Sequence, residues 1–432
     1  MNQDNHSFTC SEQLLERALK KIPLGTQTFS KSYKVFPYGV SPFYASRAKG
    51  SHLWDADGNQ YVDFVSSLCA ITLGYQDPDV DAAVRAQMES GNLFSLPHKI
   101  EIEVAESICK MVPCAEMVRF GKNGSDATSG AVRVARAYTG RDRIAVCGYH
   151  GWQDWYIGAT SRNLGVPKVV QELTHTFKFN DLDSLQLLLK SHKGEFACIV
   201  MEAMNTEEPD PNFLRGVQEL AKEHGAVFIL DETITGFRFS KGGAQELFNI
   251  TPDLATFGKG LSNGYPLSAI AGRADIMSLM EDIFFSFTMG SETLSLAAAK
   301  ATLEKINREP VIEQLKKSGN RIISGVRDCI TQCGAQHIFS VSGHPAWTFL
   351  NIKDIEPYTN WEIRTYLFQE MFKRQMLMLG AHNISYSHTT EDINRLLHAY
   401  DEILPLIKQS IEEQSLLEKL NCKPLVPLFR VR

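Results

Sequence analysis

The sequence predicts an α/β protein built around a mainly parallel sheet, and three observations carry that prediction. Short apolar runs recur at Met117–Phe120, Arg143–Cys147, Ala197–Met201 and Val227–Leu230. Helical stretches separate them, as parallel strands require, because each crossover needs room for a helix. The runs are largely apolar throughout instead of alternating apolar and polar, which is the pattern of strands covered on both faces.

The elements follow in order. Residues 11–24 read as a short helix closed by Pro23 and Gly25. Gly50–Asp63 reads as short strands about a turn, with Asp57-Gly58-Asn59 supplying the turn chemistry. From about residue 80 the helix–strand alternation begins. Beyond about residue 305 the pattern becomes helical again, with a strand candidate at Ala346–Asn351. From Lys408 a polar tail is expected, leading to Leu425-Val-Pro-Leu-Phe429. At 432 residues the chain exceeds one ordinary core. We divide it into an N-terminal segment with part of a small domain (1–78), a large domain (79–305) and a C-terminal small domain (306–432).

Composition narrows the function. With 44% hydrophobic and 22% charged residues the chain is ordinary and globular. A net charge of −6 argues against nucleic acid as the partner. No apolar stretch approaches the roughly 20 residues of a membrane span. The first residues lack the basic start and apolar core of a secretory signal, so a cytoplasmic protein is expected. Nine cysteines without a CxxC pair read as reduced, buried thiols, neither disulfides nor metal ligands.

The chemistry begins at Phe120–Ser125, which follows a strand. A helix is expected from about Asp126, with Ala131, Val134, Ala135 and Tyr138 on one apolar face and Gly140 as its stop. A helix N-terminus offers free N–H groups and the positive end of a dipole. Gly124 lets the backbone come close and Ser125 adds a hydroxyl, so a phosphate would be well held there. Taken alone, the stretch fits a plain strand–turn–helix with Ser125 or Asp126 as N-cap at least as well.

Its companions give it force. Asp231 ends the apolar run Ala226–Leu230, and Lys259 stands between glycines after a second apolar stretch. A carboxylate at the end of one buried strand and a lysine near the end of another are what pyridoxal phosphate (PLP) chemistry needs. The lysine holds the aldehyde as a Schiff base, and the carboxylate pairs with the protonated pyridine nitrogen so that the ring accepts electrons. Asp231 as a mere structural carboxylate, buried without a partner, would cost several kcal/mol.

The segments LWDADGNQYVDF, NGSDATSGAVRVARAYTGRDRI, YHGW, MEA, LDETITGFR, FGKGLSNGYPLSAIAG and TLSLAAA run in order between about Gly50 and Glu402. On these the chain resembles the class III PLP-dependent aminotransferases, and within them glutamate-1-semialdehyde 2,1-aminomutase and its relatives. The resemblance implies fold type I of PLP enzymes: a large domain with a mainly parallel central sheet, and a smaller α+β domain from both termini. It also implies a homodimer with shared active sites. By the same resemblance Lys259 would carry the cofactor and move the proton, and Asp231 would bind the pyridine nitrogen. Thr233 would lie under the ring, with Tyr149 stacked on the other face and His150 beside it. Gly124 and Ser125 would bind the phosphate, Thr288 would reach the phosphate of the neighbouring subunit, and Glu202 would face the ring hydroxyl. Arg238 fits either a substrate or a structural arginine.

Four departures concern the substrate. Lys122-Asn123 replaces the common Asn-Ser before the phosphate glycine, and Leu68 stands where many relatives carry tryptophan. Gly290-Ser-Glu-Thr293 replaces Ser-Gly-Asn-Pro. Gly380 and Ala381 stand where the aminomutase presents a glutamate. The expected activity is transfer of an amino group between a small-molecule donor, L-glutamate for instance, and a carbonyl acceptor. Rival readings are an aminomutase moving nitrogen within one substrate, a PLP decarboxylase or racemase, and a non-catalytic binding protein. Loops 26–46 and 376–388 are expected at the substrate entrance, with Lys31 and Tyr33 as candidates.

Overall fold

The structure is a computed structural model and describes residues 7–427. Leu428 and Phe429 of the expected tail therefore lie outside the described residues. In chain order the strands are β1 (Ala45–Lys49), β2 (His52–Asp55), β3 (Gln60–Asp63), β4 (Met117–Gly121), β5 (Arg143–Cys147), β6 (Thr174–Thr176) and β7 (Phe196–Glu202). They continue with β8 (Val227–Asp231), β9 (Leu254–Phe257), β10 (Ser268–Gly272), β11 (Phe339–His344), β12 (Trp347–Ile352), β13 (Met376–Leu377) and β14 (Ala381–His382). The chain forms two compact units. One takes the described residues up to Leu68, Leu73–Gln76 and the stretch from Glu313 onward; the other takes Cys69–Thr72 and Asp77–Ile312.

In the first unit, β1, β2, β3 and β13 form one sheet in that order, with β13 parallel to β3. The β2–β3 turn falls where its residues predict. Asp55 Oδ1 accepts from the amides of Asp57 and Asn59, and Gly58 takes a φ of 89°. A second, antiparallel sheet runs β11-β12-β14. Two helix boundaries differ from expectation. The first helix is Thr9–Leu19, because Ile22 precedes proline and is forced into an extended conformation. The last helix, Thr390–Glu412, runs past Lys408 because Ile407 and Ile411 continue its buried face.

The second unit holds a seven-stranded sheet in the order β4-β10-β9-β8-β7-β5-β6. Only β10 runs antiparallel to its neighbours, β4 and β9. Every residue of β7 and β8 is buried, as their unbroken apolar runs require. β4 is the exception among the predicted strands; it lies at the sheet edge, and Met117 is exposed. The helix Gly124–Thr139 lays Ala127, Ala131, Val134 and Ala135 in one core with Ile144, Val146, Val200 and Ile229. Each buried Val or Ile contributes about 1.5–3 kcal/mol, so this packing fixes the helix start to the sheet. Tyr138 leaves the expected apolar face: it is exposed, and its hydroxyl donates to Asp275 Oδ2 at 3.1 Å. Gly140, with a φ of 66°, stops the helix.

Candidate active site

Strand register gathers the candidate residues. β5, β7, β8 and β9 are parallel neighbours, Glu202 pairs with Asp231, and Asp231 pairs with Thr256. The segments carrying Tyr149, Glu202, Asp231 and Lys259 therefore leave the sheet at one carboxyl edge, where open α/β sheets build their sites.

Lys259 is half-buried, and its backbone has a φ of 41°. A non-glycine residue in that region is strained, and such strain concentrates at functional positions. A Cβ added at Gly258 would stand 3.3 Å from Thr233 Cγ2 and 3.7 Å from Gly124 Cα. One added at Gly124 would stand 3.0 Å from the same Thr233 methyl. Helix start, strand end and lysine approach thus share one small volume that side chains on these glycines would fill.

Asp231 is deeply buried but well supplied with donors. Its Oδ1 accepts from Thr233 N (3.0 Å), Thr233 Oγ1 (2.5 Å) and Thr256 Oγ1 (3.0 Å). Its Oδ2 lies 2.8 Å from His150 Nδ1, while His150 Nε2 lies 3.1 Å from the Cys147 carbonyl. A carbonyl and a carboxylate only accept, so both ring nitrogens donate and the imidazole is charged. Burial pushes the Asp231 carboxyl up, but the His150 bond and the threonine donors leave it below the ordinary aspartate value. Burial pushes His150 down, and the bond to Asp231 leaves it above the ordinary histidine value. His150 was expected beside the cofactor ring; the structure places it on Asp231. That contact joins residues 81 apart in sequence and depends on strand register, which no local motif reveals.

Glu202, the register partner of Asp231, is buried as well. Its Oε2 accepts from Tyr149 N (3.1 Å) and Asn205 Nδ2 (3.2 Å). Burial pushes it above the ordinary glutamate value; His150 opposes this and the Asp231 charge adds to it. A Cβ on Gly148 would meet Glu202 Oε2 at 2.5 Å, and Gly148 has a φ of 104°, so glycine is required on both counts. The Tyr149 ring is 47% exposed and sits edge-on to Tyr156.

At the helix start the N-cap is Asn123, not Ser125 or Asp126. Asn123 Oδ1 accepts from Asp126 N (3.2 Å), and Asp126 Oδ2 accepts from Asn123 N (3.0 Å), a reciprocal capping box. Asn-x-x-Asp was legible as that signal. The Ser125 hydroxyl is therefore not used as a cap; its Oγ accepts from Trp152 N at 3.3 Å. A Cβ on Gly151 would collide with Ser125 Oγ at 2.2 Å, so glycine lets the Tyr149–Trp152 loop close on the helix start. Amide donors, a hydroxyl and a helix dipole form a donor set that fits phosphate.

Thr288 is not brought there: it is exposed on a turn and, among the described residues, makes no hydrogen bond to the cradle. Arg238 is fully buried, with Nη2 donating to the Cys69 carbonyl (3.3 Å) and Thr72 Oγ1 (3.1 Å). Leu68 lies in a left-handed run, Ser66 to Cys69, with φ values of 43°, 48°, 60° and 67°. Lys31 and Tyr33 line an apolar-walled cavity of ≈ 240 Å³ within the first unit, alongside Asp63, Ser67 and Tyr75.

Comparison with known proteins identifies a family. Residues 35–363 match the family described as aminotransferase class-III. A 3-aminobutyryl-CoA aminotransferase of Cloacimonas acidaminovorans (strain Evry) is 33% identical over 411 residues, which is 93% of this chain and 98% of that protein. A glutamate-1-semialdehyde 2,1-aminomutase of Syntrophobacter fumaroxidans (strain DSM 10017 / MPOB) is 33% identical over 426 residues, covering 92% and 98%. The FumI protein of Sphingopyxis sp. MTA144, solved with PLP, superposes with a TM-score of 0.87 at 28% identity over 96% of this chain and 99% of that one. The chain belongs to the class III aminotransferase family. It has the fold of PLP-dependent transaminases and is a PLP-dependent enzyme. Among the described residues no helix is long and apolar enough to cross a membrane.

Proposed function

We propose that the enzyme transfers an amino group from an amino acid donor, L-glutamate for instance, to a carbonyl acceptor, with Lys259 as the residue that carries PLP. The observation behind this is the shared volume of Gly124, Thr233 and Gly258, backed by the ionised Asp231–His150 pair. PLP, when bound, supplies an electron sink that lets the C–H bond beside the amino nitrogen release its proton. Lys259 Nζ would take that proton and hold it until it is returned. Asp231 holds a proton on the ring nitrogen, and His150 keeps Asp231 ionised and oriented. Gly124 and Ser125 would hold the phosphate, and Thr233 and Tyr149 would hold the ring. Glu202, whose carboxyl burial pushes up, would meet the ring hydroxyl.

We further assign Thr288 to the cofactor phosphate of a second copy, making the active form a homodimer. Exposed apolar residues on one unit, among them Ile102, Met117, Phe284 and Met289, support that assignment. Free thiols, with Cys69, Cys114, Cys147 and Cys198 buried, support a reducing, cytoplasmic setting.

The test is the absorption spectrum of the purified protein before and after L-glutamate. Intermolecular transfer shifts the near-visible band to shorter wavelength and releases 2-oxoglutarate. A band that ignores glutamate and other common donors would favour an aminomutase, the activity named for one relative. No chromophore, even after PLP is added, would sink the assignment of Lys259.

A further inference from the structure

The two loops expected at the substrate entrance meet in one cavity of the first unit. Its wall takes residues between Thr26 and Ala45 from the first loop and Leu377 from the second. The volume is ≈ 240 Å³, and Leu15, Leu24, Phe36, Phe43, Leu53 and Leu377 make the wall apolar. Pockets that enclose a whole small ligand run to about 300–1,000 Å³. This one takes a single arm of a molecule.

The wall's buried carboxylate and its hydroxyls at Tyr75, Tyr44 and Ser32 are already committed. Asp63 Oδ1 accepts from the amides of Val65 (2.7 Å) and Ser66 (3.0 Å), and its Oδ2 accepts from Tyr75 OH (2.6 Å). Tyr44 OH donates to the Gly25 carbonyl at 2.8 Å, and Ser32 Oγ donates to the Phe29 carbonyl at 2.7 Å. Lys31 is exposed and donates to Ser67 Oγ at 3.2 Å, so its charge stays with the solvent. The wall offers a ligand apolar surface, and a polar arm there would lose its water without gaining partners. Backbone strain points the same way. Leu24 stands in the left-handed region, with φ 65° and ψ 1°, and Gly25 follows it with φ 70°. Gly25 must be glycine, because a Cβ there would meet Leu15 Cδ1 at 2.6 Å. At Leu24 glycine would take the same conformation without strain, so leucine serves there through its side chain. Strain of this kind concentrates at ligand sites.

We propose that this cavity receives an alkyl arm of the substrate, so that the carbonyl acceptor carries a hydrocarbon chain. The proposal names a substrate class for the aminotransferase reading and rests on that reading. Leu24 and Leu53 are then specificity-determining residues. Each methylene that leaves water for the cavity favours binding about fourfold, until the cavity is full.

The test has two arms, both on the full-length chain. In the first, calorimetry gives the dissociation constants of butyrate and hexanoate for the wild type, Leu24→Gly and Leu53→Phe, with PLP and without it. The two probes share a head group, so their ratio reports the chain alone. Hexanoate should bind the wild type about 15-fold more tightly than butyrate, at one molecule per chain. Leu53→Phe fills the cavity and Leu24→Gly opens its wall, so in both the ratio should fall below about threefold. Far-UV circular dichroism of both variants should match the wild type. In the second arm, kcat/KM is compared for hexanal and butanal with L-glutamate as donor, and that ratio should fall in the same variants. Equal constants for the two acids in the wild type would overturn the proposal, as would a ratio that neither variant changes. A binding ratio abolished by the variants beside an aldehyde ratio left intact would place the cavity outside the substrate site, and overturn it too. So would turnover of neither aldehyde by an enzyme whose spectrum L-glutamate shifts. That spectrum reports separately on the aminotransferase reading: if no chromophore forms even with added PLP, that reading fails, and the substrate assignment fails with it.

Discussion

The ends of β7 and β8 carry two acids in closely matched places. Glu202 and Asp231 are register partners on adjacent parallel strands, and both are buried. Burial alone would push both toward the neutral form. Glu202 follows that rule and Asp231 does not. The difference lies in the donors: Glu202 receives an amide N–H and an asparagine, whereas Asp231 receives a charged imidazole and two threonine hydroxyls. Neighbouring acids pushed in opposite directions can take opposite roles, a fixed anion and a neutral donor.

The largest effect expected from breaking this contrast is at Asp231. Asp231→Asn keeps the shape and removes the charge, so the ring nitrogen loses its reason to stay protonated. We expect kcat/KM to fall on the order of 10³-fold, about 4 kcal/mol of transition-state stabilisation, with the protein still folded. A loss under tenfold in steady-state assays would show that another group holds the ring nitrogen.

His150→Asn tests the cause of the contrast. Asparagine can still donate one hydrogen bond to Asp231 but supplies no charge. A fall of about 10- to 100-fold in activity is expected, the range typical of groups that orient a reacting partner. An unchanged rate would mean that the threonines alone hold Asp231 in its ionised form.

How much of this was legible in sequence depends on the range of the contact. Lys259 between glycines, Asp231 after an apolar run and the Asn123 cap are local signals, and the apolar runs at β5, β7 and β8 were read within a residue or two. His150 on Asp231 and Lys122 on Glu292 are contacts between distant segments, fixed by strand register and loop packing. Tyr138 shows the opposite failure: helical periodicity placed it on the buried face, but the core ends a turn earlier and the ring is exposed.

The pair also makes stability depend on pH, and the first unit supplies a control. His382 is as buried as His150, but its ring nitrogens meet Thr348 Oγ1 and Tyr400 OH, which can accept or donate, and burial pushes it down to about 3. It is neutral through the physiological range. His150 is raised above 6.5, so its contribution is whole below pH 6.5 and is lost as pH rises through the folded value. Asp231 is lowered, so its contribution is present above pH 3.8 and is lost as pH falls through its folded value. The Tm difference between wild type and His150→Asn should therefore be largest near pH 5–6 and shrink at alkaline pH. Thermal melts across that range decide it; a difference that grows with pH would reverse the charge assigned to His150.

The smallest effect is expected at Glu202, and that smallness is its diagnostic value. Glu202→Gln replaces an acid already pushed toward neutrality by a neutral amide of the same shape. The amide oxygen can accept from Tyr149 N and Asn205 Nδ2, and the amide nitrogen can donate where the protonated acid would. Activity should stay within about threefold, and stability within about 1 kcal/mol, as for a substitution that leaves no buried group unsatisfied. The matched change at Asp231 removes a charge that is in use, so the same acid-to-amide chemistry gives very different losses at paired positions. A loss at Glu202 as large as that at Asp231 would show that both acids work ionised, and would remove His150 as the reason they differ.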